Sequence, residues 1–175
     1  MTTLSPRSFA QKIWQKARTP LHVRLHMEKV ALVAKKIALA AQKKGFRVNR
    51  GLVERSALVH DACKIESMQT GLDEKKLLAT VLANYPEIFR VVRQTDLPFL
   101  LREEAFENIE SLIVYYADKR VRHTDVVSLK TRLADLLFRY PKYRVDIQRA
   151  APRVLELEQA IARQFGFKKN LDNLA

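Results

Sequence analysis

Apolar residues along this chain recur mostly at intervals of three and four, the repeat that lines one face of an α-helix. Phe9, Ile13, Trp14 and Ala17 do so first. Their spacing predicts a short amphipathic helix over about 5–17, with Ser5 as cap and Pro6 at its first position. Thr19-Pro20 then breaks the helix. A longer helix is expected from about Leu21 to Lys44, because His22, His26, Val30, Val33, Ile37 and Ala41 share one face, and Gly45 is its natural stop. A third, from about Arg50 to Lys64, carries Val53, Ala57 and His60 on one stripe, with Asp61 about 100° further round.

Ile65 to Leu72 reads as a loop beside that third helix, a candidate pocket wall or a plain connector. Asp73 can cap a helix from about Glu74 to Ala83, which Asn84 and Pro86 terminate. A short helix and a break over 87–101 precede a well-marked amphipathic helix from about Arg102 to Arg122, through Phe106, Ile109, Leu112, Ile113 and Tyr116. Helices over about Ser128 to Tyr140 and Val145 to Phe165 complete the pattern, with Gly166 ending the last before a basic, polar tail.

Composition supports this picture. With 175 residues, 47% of them hydrophobic, and only four glycines, the chain has enough apolar material for one core and too few turn residues for a strand-rich fold. The expectation is all-α: a compact single-domain helical bundle of about seven to eight helices. It divides into a basic N-terminal helix over 1–20, the main helical unit over 21–140, and a C-terminal helix and tail over 141–175 packing on the same domain. Cys63 stands alone, which excludes an internal disulfide framework and fits a reducing compartment. No apolar run reaches the ~20 residues that span a bilayer, and the opening lacks the apolar core of a secretory signal. We therefore expect no membrane insertion and a cytoplasmic location, although an acid-poor opening with Arg and Ser also describes an organellar transit peptide.

Charge changes the picture in one place. Residues 1–50 hold 12 Lys and Arg against the single acid Glu28, so they carry +11 of the total +13. A field of that kind concentrates phosphates or nucleic acid, and residues 1–50 are a possible nucleic-acid surface. A solubilising face with no specific partner is the competing reading.

The candidate chemistry lies on three of the predicted helices. His60-Asp61 closes an apolar run and Lys64 follows one turn later. A buried His beside a buried Asp is costly unless a cation or other partners satisfy it. His26 lies on an apolar stripe, where a lone histidine is more often a satisfied core residue than a ligand. Asp118 falls near a helix C-terminus, where an acid is unfavourable unless a cation compensates it. A metal would do so, and Lys119, Arg120 and Arg122, as solvated charges, are the alternative.

The ordered set of HMEKVALVAKKIA with His26, ALVHDACK with His60, Asp61 and Lys64, and YYADKRV with Asp118 resembles the HD-domain superfamily of metal-dependent phosphohydrolases. The resemblance covers about Leu21 to Arg139. It implies an all-helical domain whose core helices converge on a metal held by His26, His60, Asp61 and Asp118, with His22 a rival first ligand one turn earlier. Two imidazoles and two carboxylates suit one divalent ion, Mn, Fe, Co, Ni or Zn. The implied activity is hydrolysis of a phosphate ester by a metal-activated water, on a nucleotide or a small phosphorylated metabolite. Asp61 would orient or deprotonate the water, and Lys64 would bind the phosphate and neutralise its charge. His123 is a candidate proton donor, and Cys63 is expected in the core.

Three departures shape the expectation. Ala62-Cys63 stands where many members have Ile-Gly, which argues against the cyclic-dinucleotide subgroup. No histidine lies between Asp61 and Asp118, so one metal is expected rather than two. The segment KIES replaces the acidic pair of the guanosine-tetraphosphate hydrolases, which disfavours that activity. A nucleic-acid-binding module of the same fold, with a structural or vestigial metal site, is the alternative function.

Overall fold

The computed structural model describes residues 4–102 and 106–167. Among them are nine α-helices: α1 (Pro6–Lys16), α2 (Leu21–Lys43), α3 (Arg50–Ala57), α4 (Lys64–Thr70), α5 (Glu74–Val81), α6 (Pro86–Val92), α7 (Ile109–Lys119), α8 (Leu129–Arg139) and α9 (Arg144–Phe165). Two short 3-10 segments, Leu97–Leu101 and Pro141–Tyr143, accompany them. The protein is all-α apart from one two-stranded antiparallel ribbon, β1 (Val121–Arg122) and β2 (Asp125–Val126), which the helical periodicity does not announce. No helix among the described residues is long and apolar enough to cross a membrane.

The helix starts follow side-chain capping. Ser5 accepts from the Ser8 amide at 3.1 Å, Asp73 from Lys76 at 2.9 Å, Asn49 from Leu52 at 3.0 Å, Asn108 from Ser111 at 2.8 Å and Ser128 from Thr131 at 3.1 Å. Each satisfies an amide that a helix leaves without a partner. Gly45 follows the end of α2 with φ +87°, a conformation that side-chain-bearing residues avoid.

The 23-residue α2 runs through the centre, packed on α3 and α7. Met27, Val30, Ala34, Ile37, Ala38 and Ala41 on it are fully buried. The expected stripe on α1 is also buried at Phe9, Ile13, Trp14 and Ala17.

Four boundaries differ from expectation. The third helix stops at Ala57, not Lys64, because its terminal carbonyls are taken by side chains. His60 Nδ1 occupies the Ala57 carbonyl at 2.8 Å and Trp14 Nε1 donates to the Leu58 carbonyl at 2.8 Å. In a continued helix those oxygens would accept from the amides of Asp61 and Ala62. His60-Asp61 therefore sits on a tight turn over 58–63, between α3 and α4. The expected loop at 65–72 is mostly α4, which runs until Gly71 adopts φ +73°. The helix expected from Arg102 starts at Ile109 behind the Asn108 cap and ends at Lys119, with Val121–Arg122 passing into the ribbon. Residues 103–105 of that expected helix, and the expected basic tail beyond 167, lie outside the described residues.

Candidate metal centre

Three separate segments place the polar cluster. His26 comes from the first half of α2, His60 and Asp61 from the turn after α3, and Asp118 from the last turn of α7. One ligand atom each from His26, His60 and Asp61 lie within 4.8 Å of one another. Asp118 joins them through Oδ1, which is 3.2 Å from His26 Nε2 and 3.5 Å from His60 Nε2. His60 Nε2 lies 3.8 Å from Asp61 Oδ1. The two rings are tilted, with centroids 5.6 Å apart. All four residues sequence reading singled out thus meet at one place. His22, the rival first ligand, is exposed at the rim of the cleft and outside the cluster.

The hydrogen bonds on the far sides of the rings decide what the near sides can do. His26 Nδ1 donates to the His123 carbonyl at 2.9 Å, and His60 Nδ1 to the Ala57 carbonyl at 2.8 Å. A carbonyl only accepts, so both Nδ1 atoms carry hydrogen, and in the neutral rings both Nε2 atoms present lone pairs inward. Those lone pairs face carboxylate oxygens, which are also acceptors. The His60 Nε2 is buried and has no hydrogen-bond partner. A cation, a proton or a donating water satisfies such an arrangement, and the donor set of imidazole nitrogen and carboxylate oxygen fits a divalent transition metal.

Charge around the cluster is balanced through the outer carboxylate oxygens. Lys64 Nζ lies 2.9 Å from Asp61 Oδ2, and Lys119 Nζ 2.5 Å from Asp118 Oδ2. Burial opposes ionisation of Asp61, but the Lys64 ammonium and then the His60 ring hold its carboxyl well below the usual carboxylate range. For Asp118 burial is again outweighed, by the Lys119 ammonium and then by the His26 and His60 rings beside it. Burial disfavours a charged His60, yet the Asp61 charge and then the Asp118 carboxylate raise its pKa above 6.5. Burial also pushes the Cys63 thiol up to about 12, which fits a core side chain and not a nucleophile.

One expectation about these neighbours changes. Lys119 and Arg120 are not solvated charges: they are 5% and 2% exposed. Lys119 also donates to the Thr95 carbonyl, and Arg120 pairs with Glu158 at 3.2 Å and donates to Tyr116. Lys64 is committed to Asp61 as well as facing the cleft. His123 contributes its backbone carbonyl to His26, from a ribbon turn where its φ is +54°. Within the basic region 1–50, Arg7 pairs with Glu28, Lys16 donates to the Thr80 and Val81 carbonyls, and Arg24 lies over the Trp14 ring.

Four further contributors escaped the sequence reading. Trp14 holds the Leu58 carbonyl and Thr19 the Ala62 carbonyl at 2.9 Å, so α1 and the break after it pin the turn that carries His60-Asp61. Arg132 of α8 reaches within 3.9 Å of Asp118 Oδ1. Glu74, with a buried Oε1 that lacks a partner, is raised to about 7, first by burial and then by the charge of Asp61. A helix from about Ser128 is expected from the sequence, but no local signal shows that α8 folds over the cluster.

A cleft of about 310 Å³ opens over the cluster, lined by His26, Asp61 and Lys64 and also by Arg132, Arg139 and Tyr140. No curated protein and no solved structure matches the chain. The family model described as HD domain matches residues 23–139, a span that contains all four clustered residues. With this span and the ordered His26, His60-Asp61 and Asp118 brought together, the chain belongs to the HD-domain superfamily of metal-dependent phosphohydrolases.

Proposed function

We propose that the protein is a metal-dependent phosphohydrolase, and that His26, His60, Asp61 and Asp118 hold one divalent ion of Mn, Fe, Co, Ni or Zn. The substrate is a small phosphate ester, a nucleotide or another phosphorylated metabolite, entering the cleft above them. The observation that carries this reading is the buried, unpartnered His60 Nε2, facing Asp118 Oδ1 while its other nitrogen is tied to Ala57.

Bound there, an ion of this kind supplies Lewis acidity toward a phosphoryl oxygen and lowers the pKa of a water from 15.7 toward about 7. The chain does the rest. The two backbone carbonyls fix the rings with Nε2 inward, so no tautomer change is needed before binding. Asp61, at the cleft, orients the attacking water through its carboxylate. Its strongly depressed pKa makes it a weak proton acceptor, so orientation is its larger role. Lys64 holds Asp61 Oδ2 and offers its remaining N–H groups to the phosphate, where it offsets the charge that grows as the ester bond breaks.

The test is elemental analysis of the purified protein followed by a broad phosphoester screen. The expected result is about one transition-metal ion per chain, and phosphate release that a chelator abolishes and the ion restores. Phosphate release that persists in chelated, metal-free protein would overturn the mechanism. The nucleic-acid alternative rests on charge alone, and three of its basic residues, Arg7, Lys16 and Arg24, are engaged within the fold.

A further inference from the structure

Arg132, Asp135 and Arg139 lie at positions three and seven apart along α8, which puts them on one face. Both arginines line the same cleft as Lys64. They share a single carboxylate oxygen: Asp135 Oδ2 accepts from Arg132 Nη1 at 2.8 Å and from Arg139 Nη2 at 2.7 Å and Nε at 3.2 Å. Two guanidinium charges are thus held side by side by one acid. Arg132 is 7% exposed, and its Nε is buried without a hydrogen-bond partner. Its Nη2 lies 3.9 Å from Asp118 Oδ1, beyond hydrogen-bond length.

Asp135, and Asp118 at ion-pair distance, offset part of this charge, but the two guanidiniums retain a positive field that an anion in the cleft would offset. Like charges repel, and a buried N–H without a partner retains its desolvation cost. We infer that Arg132 and Arg139, positioned by Asp135, form a dianion clamp that selects phosphate monoesters over diesters, with the organic group of the ester against Tyr140 and Met68. This rests on the phosphohydrolase reading for its reacting phosphate, but the clamp is built from residues outside the metal cluster.

The chemistry supports a monoester in particular. A monoester carries about −1.5 to −2 charge near pH 7, and three terminal oxygens that accept in the planar pattern a guanidinium offers. A diester has one charge and two such oxygens. Lys64, the cluster and the surplus positive charge of the two arginines all line the cleft that the phosphate would enter. Arg139 lies over the Tyr140 ring at 5.4 Å, and Met68 is exposed at the cleft mouth, so an apolar surface adjoins the charged one.

The experiment is calorimetric titration of the full chain, with and without Mn²⁺, using phenyl phosphate and its methyl diester, methyl phenyl phosphate. These probes share a ring and differ in one masked charge. The expected preference for phenyl phosphate is tenfold or more in the wild-type protein. It should collapse toward unity in Arg139→Gln, whose side chain is 33% exposed, and in Arg132→Gln. Asp135→Asn, a change in a positioning residue, should lower the preference severalfold, and Arg139→Lys should restore part of what Arg139→Gln loses. Mn²⁺ affinity should stay within about twofold in Arg139→Gln. A preference unchanged in Arg139→Gln and Arg132→Gln overturns the clamp. A protein that takes up no Mn²⁺ yet keeps an arginine-dependent preference upholds the clamp and overturns the metal reading. Mn²⁺ uptake without monoester preference does the reverse.

Discussion

The Nδ1–H of His26 is held by the backbone carbonyl of His123 at 2.9 Å, across 97 positions of sequence. A two-residue ribbon turn therefore orients a ring on the central helix, and it does so with main chain at a left-handed residue, φ +54°. The side chain of His123 is exposed and takes no part in that bond.

Substitution at the turn should follow backbone conformation rather than imidazole chemistry. His123→Gly, which adopts a positive φ without strain, should leave metal affinity within a few-fold of wild type. His123→Val places a β-branched residue where φ is positive and should lower metal affinity about 10- to 100-fold, the usual cost of losing a partner to a ligating histidine. Metal titration by calorimetry distinguishes them, and equal affinities in the two variants would count against the carbonyl's role.

Trp14→Phe keeps an aromatic ring in the core but removes the N–H and part of the packed indole, leaving the buried Leu58 carbonyl without its 2.8 Å partner. An unsatisfied buried acceptor costs about 1 to 3 kcal/mol. We expect a loss of that size in denaturant unfolding, together with weaker metal binding because the turn bearing His60-Asp61 is freed on one side. Unchanged metal affinity beside the stability loss would confine Trp14 to a packing role.

Asp61 and Lys64 separate metal binding from charge stabilisation. Asp61→Ala should lose both the ion and turnover. Lys64→Ala should retain the ion while its rate falls on the order of 10² to 10³, the effect of deleting one positioned electrostatic donor. Because Lys64 Nζ holds Asp61 Oδ2 at 2.9 Å, its metal affinity should also fall modestly. Metal content and phosphate release on the same preparations check both statements.

Glu74 sets a pH dependence of stability in chelated protein. Its folded carboxyl keeps a proton up to about 7, while in the unfolded chain it titrates near 4.5. Between these values the folded state binds more protons, so this contribution is fully present below about 4.5 and is lost as pH rises through about 7, at roughly 1.4 kcal/mol per pH unit at most. Glu74→Gln should unfold at a higher temperature than wild type at pH 8 and show little advantage at pH 5. Parallel melting curves at all pH values would rule out a buried, proton-holding carboxyl.

Local sequence determined the helical class, the caps at Ser5 and Asp73, the buried stripes of α1 and α2, and the identities of the four clustered residues. These are legible because helix periodicity and capping act over a few positions, and because His26, His60-Asp61 and Asp118 keep a recognisable order. Tertiary structure decided the rest. Whether His22 or His26 faces Asp118 depends on how far α2 is shifted along its axis against α7, since both lie on one face and one helical turn of difference leaves His22 at the rim. The end of α3 at Ala57 depends on a tryptophan 44 residues away and on the His60 ring, both competing for carbonyls that local propensity would assign to the helix. Lys119 belongs to the core rather than to solvent because α7 buries its last turn beside Thr95. Arg132 and Arg139 reach the cleft only because α8 folds over the cluster, since a charge on an amphipathic helix looks the same from its neighbours in sequence whether it meets water or a cleft.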